Sequence, residues 1–225
     1  MEFDIDQFRA DVWYYSELEG TIKPDTWEQI VAHCVNGTRI PGDHFMADAH
    51  NHQYAFNVKS LKEQYVSKTK KTTKEFVQSR IPITDDRSLP DEELGKIIVK
   101  SLDDKMQESL DYFKVSEMID ILILHRRYEN KYHAIVYKVD HPKFDTYDLV
   151  WNSGEARINE SPSWFIKRRW SDYSHGQTCT LIKKTYFKED VIAEVTVESD
   201  DIYNISKEDI MAKYIKNCQP TLDLI

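Results

Sequence analysis

Apolar residues recur at helical spacing between residues 6 and 35, at Phe8, Val12, Tyr15, Trp27, Ile30, Val31 and Cys34, and predict mostly helix there. The step Lys23-Pro24-Asp25 breaks the run, and Asp25 or Thr26 is expected to cap the second helix. Asn36-Gly37 and Pro41-Gly42 are turn signals. Beyond them, His44–Ala49 and Tyr54–Lys59 predict two short strands of a hairpin, joined by the polar His50-Asn51-His52. Residues 61–78 fit a helix or an ordered basic loop. Ser88-Leu89-Pro90-Asp91-Glu92-Glu93 opens a helix, with Ser88 at the cap and acids in the first turn. Its apolar face is Leu94, Ile97, Ile98, Leu102 and Met106, and it ends near Tyr112. Met118–His125 and Tyr132–Val139 are apolar, β-branched runs that predict adjacent, central, antiparallel strands. Further strands are expected near 146–151, 178–187 and 191–197, and a last helix over Ser206–Lys216.

This order of elements predicts an α/β fold, a mixed central β-sheet flanked by helices, in a single domain over residues 1–225. No internal repeat or linker-like break divides the chain. With 225 residues, 40% hydrophobic and 12% aromatic, the chain has ample material for a core. A charged fraction of 31% and a mean hydropathy of −0.62 predict a very wet surface. No apolar run approaches the roughly 20 residues that a membrane helix requires. Met1-Glu2-Phe3-Asp4 is acidic, unlike a secretory signal, so a soluble, cytoplasmic protein without a membrane partner is expected. Cys34, Cys179 and Cys218 are too few and too scattered for a disulfide framework or a zinc clip, and read as reduced thiols.

The net charge of −9 speaks against a nucleic-acid partner until its distribution is considered. Residues 1–28 carry eight acids against two bases, and residues 189–225 nine acids against three bases. Between them lie two basic stretches. Residues 57–80 hold Lys59, Lys62, Lys68, Lys70, Lys71, Lys74 and Arg80 against only Glu63 and Glu75. Residues 156–188 hold Arg157, Lys167, Arg168, Arg169, Lys183, Lys184 and Lys188 against only Glu160 and Asp172. Such blocks can line a phosphate-binding surface while acidic ends keep the protein soluble.

The segment richest in chemistry runs from Asp43 to Ser60. As a hairpin it puts Asp48 at the end of one strand and both Asn57 and Lys59 on one face of the next. A carboxylate, an amide oxygen and a lysine converging there suit binding of a divalent cation and orientation of a water for phosphodiester hydrolysis. Asp48, followed after eight intervening residues by Asn57-Val58-Lys59, resembles the active site of the PD-(D/E)XK nucleases, the restriction-endonuclease-like superfamily. Members place an Asp at one strand's end and an acid-x-Lys on the next strand. The resemblance implies that Asp48 ligates a metal and that Lys59 positions or helps deprotonate the attacking water. Ala47 stands where the motif has proline, and Asn57 where it has its second acid. Glu75, on an expected helix after the second strand, and Glu28, on the N-terminal helix, are candidates to replace that charge. Asn57 is itself a candidate ligand through its own oxygen.

Taken together, these features point to a Mg²⁺-dependent DNA endonuclease, with Asp48 and Asn57 as metal ligands and Asp48, Asn57, Lys59, Glu28 and Glu75 as the candidate catalytic set. Double-stranded DNA is the expected partner, held by Lys62, Lys70, Lys71, Arg80, Lys167, Arg168, Arg169 and Gln177. A homodimer is expected by analogy with the family. The rival reading, favoured by Asn57, is a non-catalytic nucleic-acid-binding protein that uses the same basic surface. His44, His50 and His52 lack a completing ligand for zinc. Neither a P-loop, a Rossmann glycine fingerprint nor a nucleophile elbow occurs.

Overall fold

The computed structural model describes residues 1–42, 45–63, 72–82, 91–141, 149–152, 155–158, 164–170, 177–198, 208 and 211–212. Helix α1 (Ile5–Glu19) begins where Asp4 accepts the Gln7 N–H at 2.9 Å. It ends at Gly20, whose φ of 69° turns the chain. The Arg127 guanidinium donates there to the carbonyls of Ser16 and Gly20, at 3.1 and 2.6 Å. Helix α2 (Pro24–Cys34) starts earlier than the expected cap at Asp25 or Thr26. Proline's fixed φ suits the first helical position, and Glu19 takes the capping role by accepting from Lys23 N and Thr26 Oγ1.

Strands β1 (Thr38–Arg39), β2 (Ala49–His50) and β3 (Tyr54–Lys62) form an antiparallel set. The expected strand His44–Ala49 is thus corrected to two residues. Asn51 makes the β2–β3 turn by accepting the N–H groups of Gln53 and Tyr54, both at 2.9 Å. Gly37 allows β1 to pass close to β2, since a Cβ there would strike the His50 carbonyl.

Residues 61–78 form no helix among the described positions: β3 runs on to Lys62, and β4 (Thr72–Pro82) is a strand. Its β-branched Thr72, Thr73 and Val77 suit that state, and its pairing partner lies a hundred residues downstream. Helix α3 (Asp91–Phe113) and the strands β5 (Glu117–Arg127) and β6 (Lys131–Asp140) follow the sequence expectation closely. Strands β7 (Leu149–Asn152), β8 (Glu155–Ile158), β9 (Trp164–Trp170), β10 (Gln177–Tyr186) and β11 (Val191–Glu198) complete the described architecture. The expected helix Ser206–Lys216 lies mostly outside the described residues.

The strands make two sheets, ordered β1-β2-β3-β5-β6-β11 and β4-β10-β9-β8-β7. In the first, β3 and β5 are parallel and all other pairs antiparallel, so it is the expected mixed sheet. It carries helices on both faces. Phe56, Val58, Ile119, Ile121 and Ile123 pack against Phe8, Trp27, Ile30 and Val31 of α1 and α2. Ala55, Met118, Leu122 and Leu124 face the other way, onto Leu102, Met106 and Leu110 of α3 and onto Tyr186 of β10. Burial on both faces explains why β5 is an almost unbroken apolar run. Among the described residues no helix is long and apolar enough to cross a membrane.

The α2 side of the sheet also buries a histidine. His125 Nδ1 lies 2.6 Å from Tyr132 Oη, which accepts the Ile22 N–H at 3.3 Å. Burial, helped by Lys62, pushes the His125 pKa down to about 4. An unfolded histidine titrates near 6.5, so the unfolded chain takes up a proton that the folded one refuses as pH falls from 6.5 to 4. Urea denaturation of wild type and His125→Leu across this range should show the wild type losing on the order of 3 kcal/mol relative to the variant. Parallel pH profiles would contradict this account.

Candidate active site

Asp48 lies one residue ahead of β2 and is tied into the sheet through its backbone. Its N–H donates to the Phe56 carbonyl at 2.8 Å, and its carbonyl accepts the Ile40 N–H at 2.9 Å. Its side chain then substitutes for a ladder carbonyl, with Oδ2 accepting the Val58 N–H at 2.6 Å. This is why the strand expected from His44 starts only at Ala49. Lys59 Nζ approaches the same oxygen at 3.4 Å and donates to the Val58 carbonyl at 3.2 Å. Both bonds to the Asp48 carboxylate end on Oδ2; among the described residues Oδ1 takes none.

Glu28 reaches this place from α2. Its Oε2 accepts from Arg39 Nε of β1 at 2.9 Å, and Arg39 Nη2 lies at the same distance. Burial raises the pKa of Glu28, Asp48 raises it further, and Arg39 only partly offsets both. Burial likewise raises Asp48 against the opposing pull of Lys59 and the Val58 N–H. The structure therefore brings Asp48, Lys59 and Glu28 into one electrostatic neighbourhood.

Asn57 behaves differently. It shares a strand face with Lys59 but its Nδ2 donates to Asp120 Oδ1 of β5 at 2.6 Å, directly across the parallel pair. His141, just after β6, holds both Asp120 oxygens through Nδ1 at 3.0 and 2.9 Å. Lys184 of β10 completes a buried cluster with only 5% exposure. Burial alone would raise Asp120, but His141, Asn57 and Lys184 together outweigh it and hold the carboxyl below its usual range. Burial pushes Lys184 down to about 8 against the pull of Asp120, Asp190 and Asp140. Asp120 and His141 escaped the sequence analysis, and Lys184 entered it only as part of a basic stretch. The signal was present, because Asp120 is the one charge inside the apolar run Met118–Leu124, and such a charge demands a partner.

Glu75 is not on a helix following β3. It lies in β4 of the second sheet, opposite Lys183 of β10, because that segment pairs as a strand. Lys62 is exposed at the end of β3. Register places Arg80, Cys179 and Arg169 in one row across β4, β10 and β9, with Val77, Leu181 and Lys167 in the row two residues along β10. Arg168 is opposite Thr180, and Gln177 is opposite Pro82. Lys70 and Lys71 lie outside the described residues. Comparison of the chain with protein-family models, curated proteins and solved structures found no match.

Among the described residues no group of three or more His, Cys, Asp or Glu side chains is gathered as a metal site. The donor set at hand is two carboxylates and an amide, all hard oxygens suited to Mg²⁺. Because the folded pKa of Asp48 is raised, folding favours its protonated form, and stability falls as pH rises through that pKa. Asp48→Asn should therefore melt at a higher temperature than wild type at pH 7, by a margin that shrinks toward pH 4. A lower melting temperature at pH 7 would show that the Lys59 contact outweighs burial.

Proposed function

We propose that the protein is a Mg²⁺-dependent endonuclease that hydrolyses phosphodiester bonds in DNA, with a restriction-endonuclease-like core. The observation that carries this reading is the approach of Lys59 to Asp48 at the β2–β3 junction, with Glu28, raised by burial and then by the Asp48 charge, in the same neighbourhood. The mixed sheet with helices on both faces is compatible with that core. Two carboxylates with raised pKa values are a place where a divalent cation relieves an existing electrostatic cost, and its binding there releases protons.

In this reading Asp48 and Glu28 hold the ion, each with an oxygen that takes no hydrogen bond among the described residues. Bound Mg²⁺ would supply charge stabilisation at the phosphate and acidify a water. Lys59 orients that water and offsets the charge gathering on the phosphate oxygens. The water oxygen adds to phosphorus, the bond to the leaving sugar oxygen breaks, and that oxygen is protonated as the water gives up its own proton. Arg80 and Arg169 in one row of the second sheet and Lys167 in the row two residues along, together with Lys62, supply cations for the DNA backbone. Cutting both strands of a duplex calls for two such sites, hence a homodimer.

The test is incubation of mixed-sequence duplex DNA with wild type and Lys59→Ala, in Mg²⁺ or in EDTA, followed by electrophoresis. Fragments are expected only with wild type and Mg²⁺, and Lys59→Ala should lower the rate by at least about 100-fold. DNA retained in a salt-dependent complex but left intact under every condition would instead identify a binding protein.

A further inference from the structure

The order β2-β3-β5 places Asn57 between two carboxylates. On the β2 side, Asp48 bonds the backbone of both neighbours of Asn57, taking the Val58 N–H and donating to the Phe56 carbonyl. On the β5 side, Asp120 is in register with Asn57 itself. An ionised carboxylate only accepts, so the bond at 2.6 Å must be donated by the amide nitrogen, and this assigns the two ends of the Asn57 side chain. The nitrogen faces β5, which leaves the oxygen as the amide atom not bound to Asp120. His141 donates to Asp120 from behind and keeps the carboxylate from turning away. Asp120 also raises the Asp48 pKa, so the two charges are close enough to sense one another.

We propose that Asp120 is a positioning residue for the metal shell: it holds Asn57 by the amide nitrogen, directs and polarises the amide oxygen toward the ion at Asp48 and Glu28, and supplies from the neighbouring strand the negative charge that residue 57 lacks. This inference rests on the metal-dependent reading above and deepens it. The physical cause is the one by which a carboxylate behind a ligating histidine raises the basicity of its far nitrogen. Here the amide transmits the effect, since donation from nitrogen to a carboxylate draws electron density onto the amide oxygen.

The experiment is calorimetric titration of Mn²⁺ into the full-length protein without DNA, so that binding is read independently of cleavage. The proteins compared are wild type, Asp120→Asn and the exchange variant Asn57→Asp/Asp120→Asn, with folding checked by circular dichroism. Asp120→Asn should weaken Mn²⁺ binding by about 10–100-fold. The exchange variant moves the carboxylate one strand over while keeping an amide–carboxylate pair, and should bind at least as tightly as wild type. Equal affinity of wild type and Asp120→Asn would overturn the role of Asp120 and leave the nuclease reading standing. Failure of the exchange variant to bind like wild type would overturn the charge argument, and it remains informative where Asp120→Asn does not fold. Absence of Mn²⁺ binding by wild type would remove both the inference and the metal-dependent reading.

Discussion

The parallel pairing of β3 with β5 is the constraint on which the rest of the molecule depends. Both strands are covered on both faces, so any polar side chain on them must find its partner inside the protein. Asn57 and Asp120 meet this demand by facing each other in register on the face that packs toward α3 and β10. A one-residue slip of either strand would send its polar residue to the α2 face, among Trp27, Ile30 and Val31, with its partner left behind. Leaving a buried charge without its partner costs about 3–5 kcal/mol, a large share of a typical domain's stability. The polar pair therefore sets register as much as the surrounding isoleucines and leucines set stability.

The same pair connects the two sheets. His141 comes to Asp120 from the end of β6, where its N–H is bonded to the Met118 carbonyl at 2.9 Å. Lys184 and Tyr186 come from β10 of the other sheet, with the Tyr186 ring tilted against that of Tyr137 at 5.6 Å between centroids. Lys74 of β4 reaches Glu63 beyond β3 at 2.6 Å. Sheet and site thus share one frame, and Asp48 is fixed in it by three backbone bonds before its remaining oxygen is considered. Side chains held in this way can keep raised carboxyl pKa values without relaxing away from each other.

The parts of the fold legible in the sequence were those decided locally. The β5 and β6 runs announce burial by their unbroken apolar character, and α3 by its acidic first turn and periodic face. The segment 61–78 misled because its strand state comes from pairing with β10 far along the chain, which no local pattern reports. His44–Ala49 misled because the Asp48 side chain takes a bond that a strand carbonyl would otherwise take. Asp48 and Lys59 were legible through their spacing on a hairpin, and Glu28 by its place on α2. Asp120 and His141 were not, because their link to Asn57 exists only once β5 lies beside β3.

Residue 57 also acquires a physical explanation. An aspartate or glutamate there would stand within hydrogen-bonding distance of Asp120, since the present amide does so at 2.6 Å. Two carboxylates that close inside a protein cannot both ionise, and one would hold a proton at neutral pH. A second acid at 57 would therefore add no net charge while Asp120 stays ionised. An amide at 57 and an anion at 120 leave a single ionised carboxylate in the pair, favoured in that form by His141, Asn57 and Lys184. An amide at 57 is thus what the buried anion on the neighbouring strand requires of its partner, since an amide can donate where an ionised carboxylate could only accept.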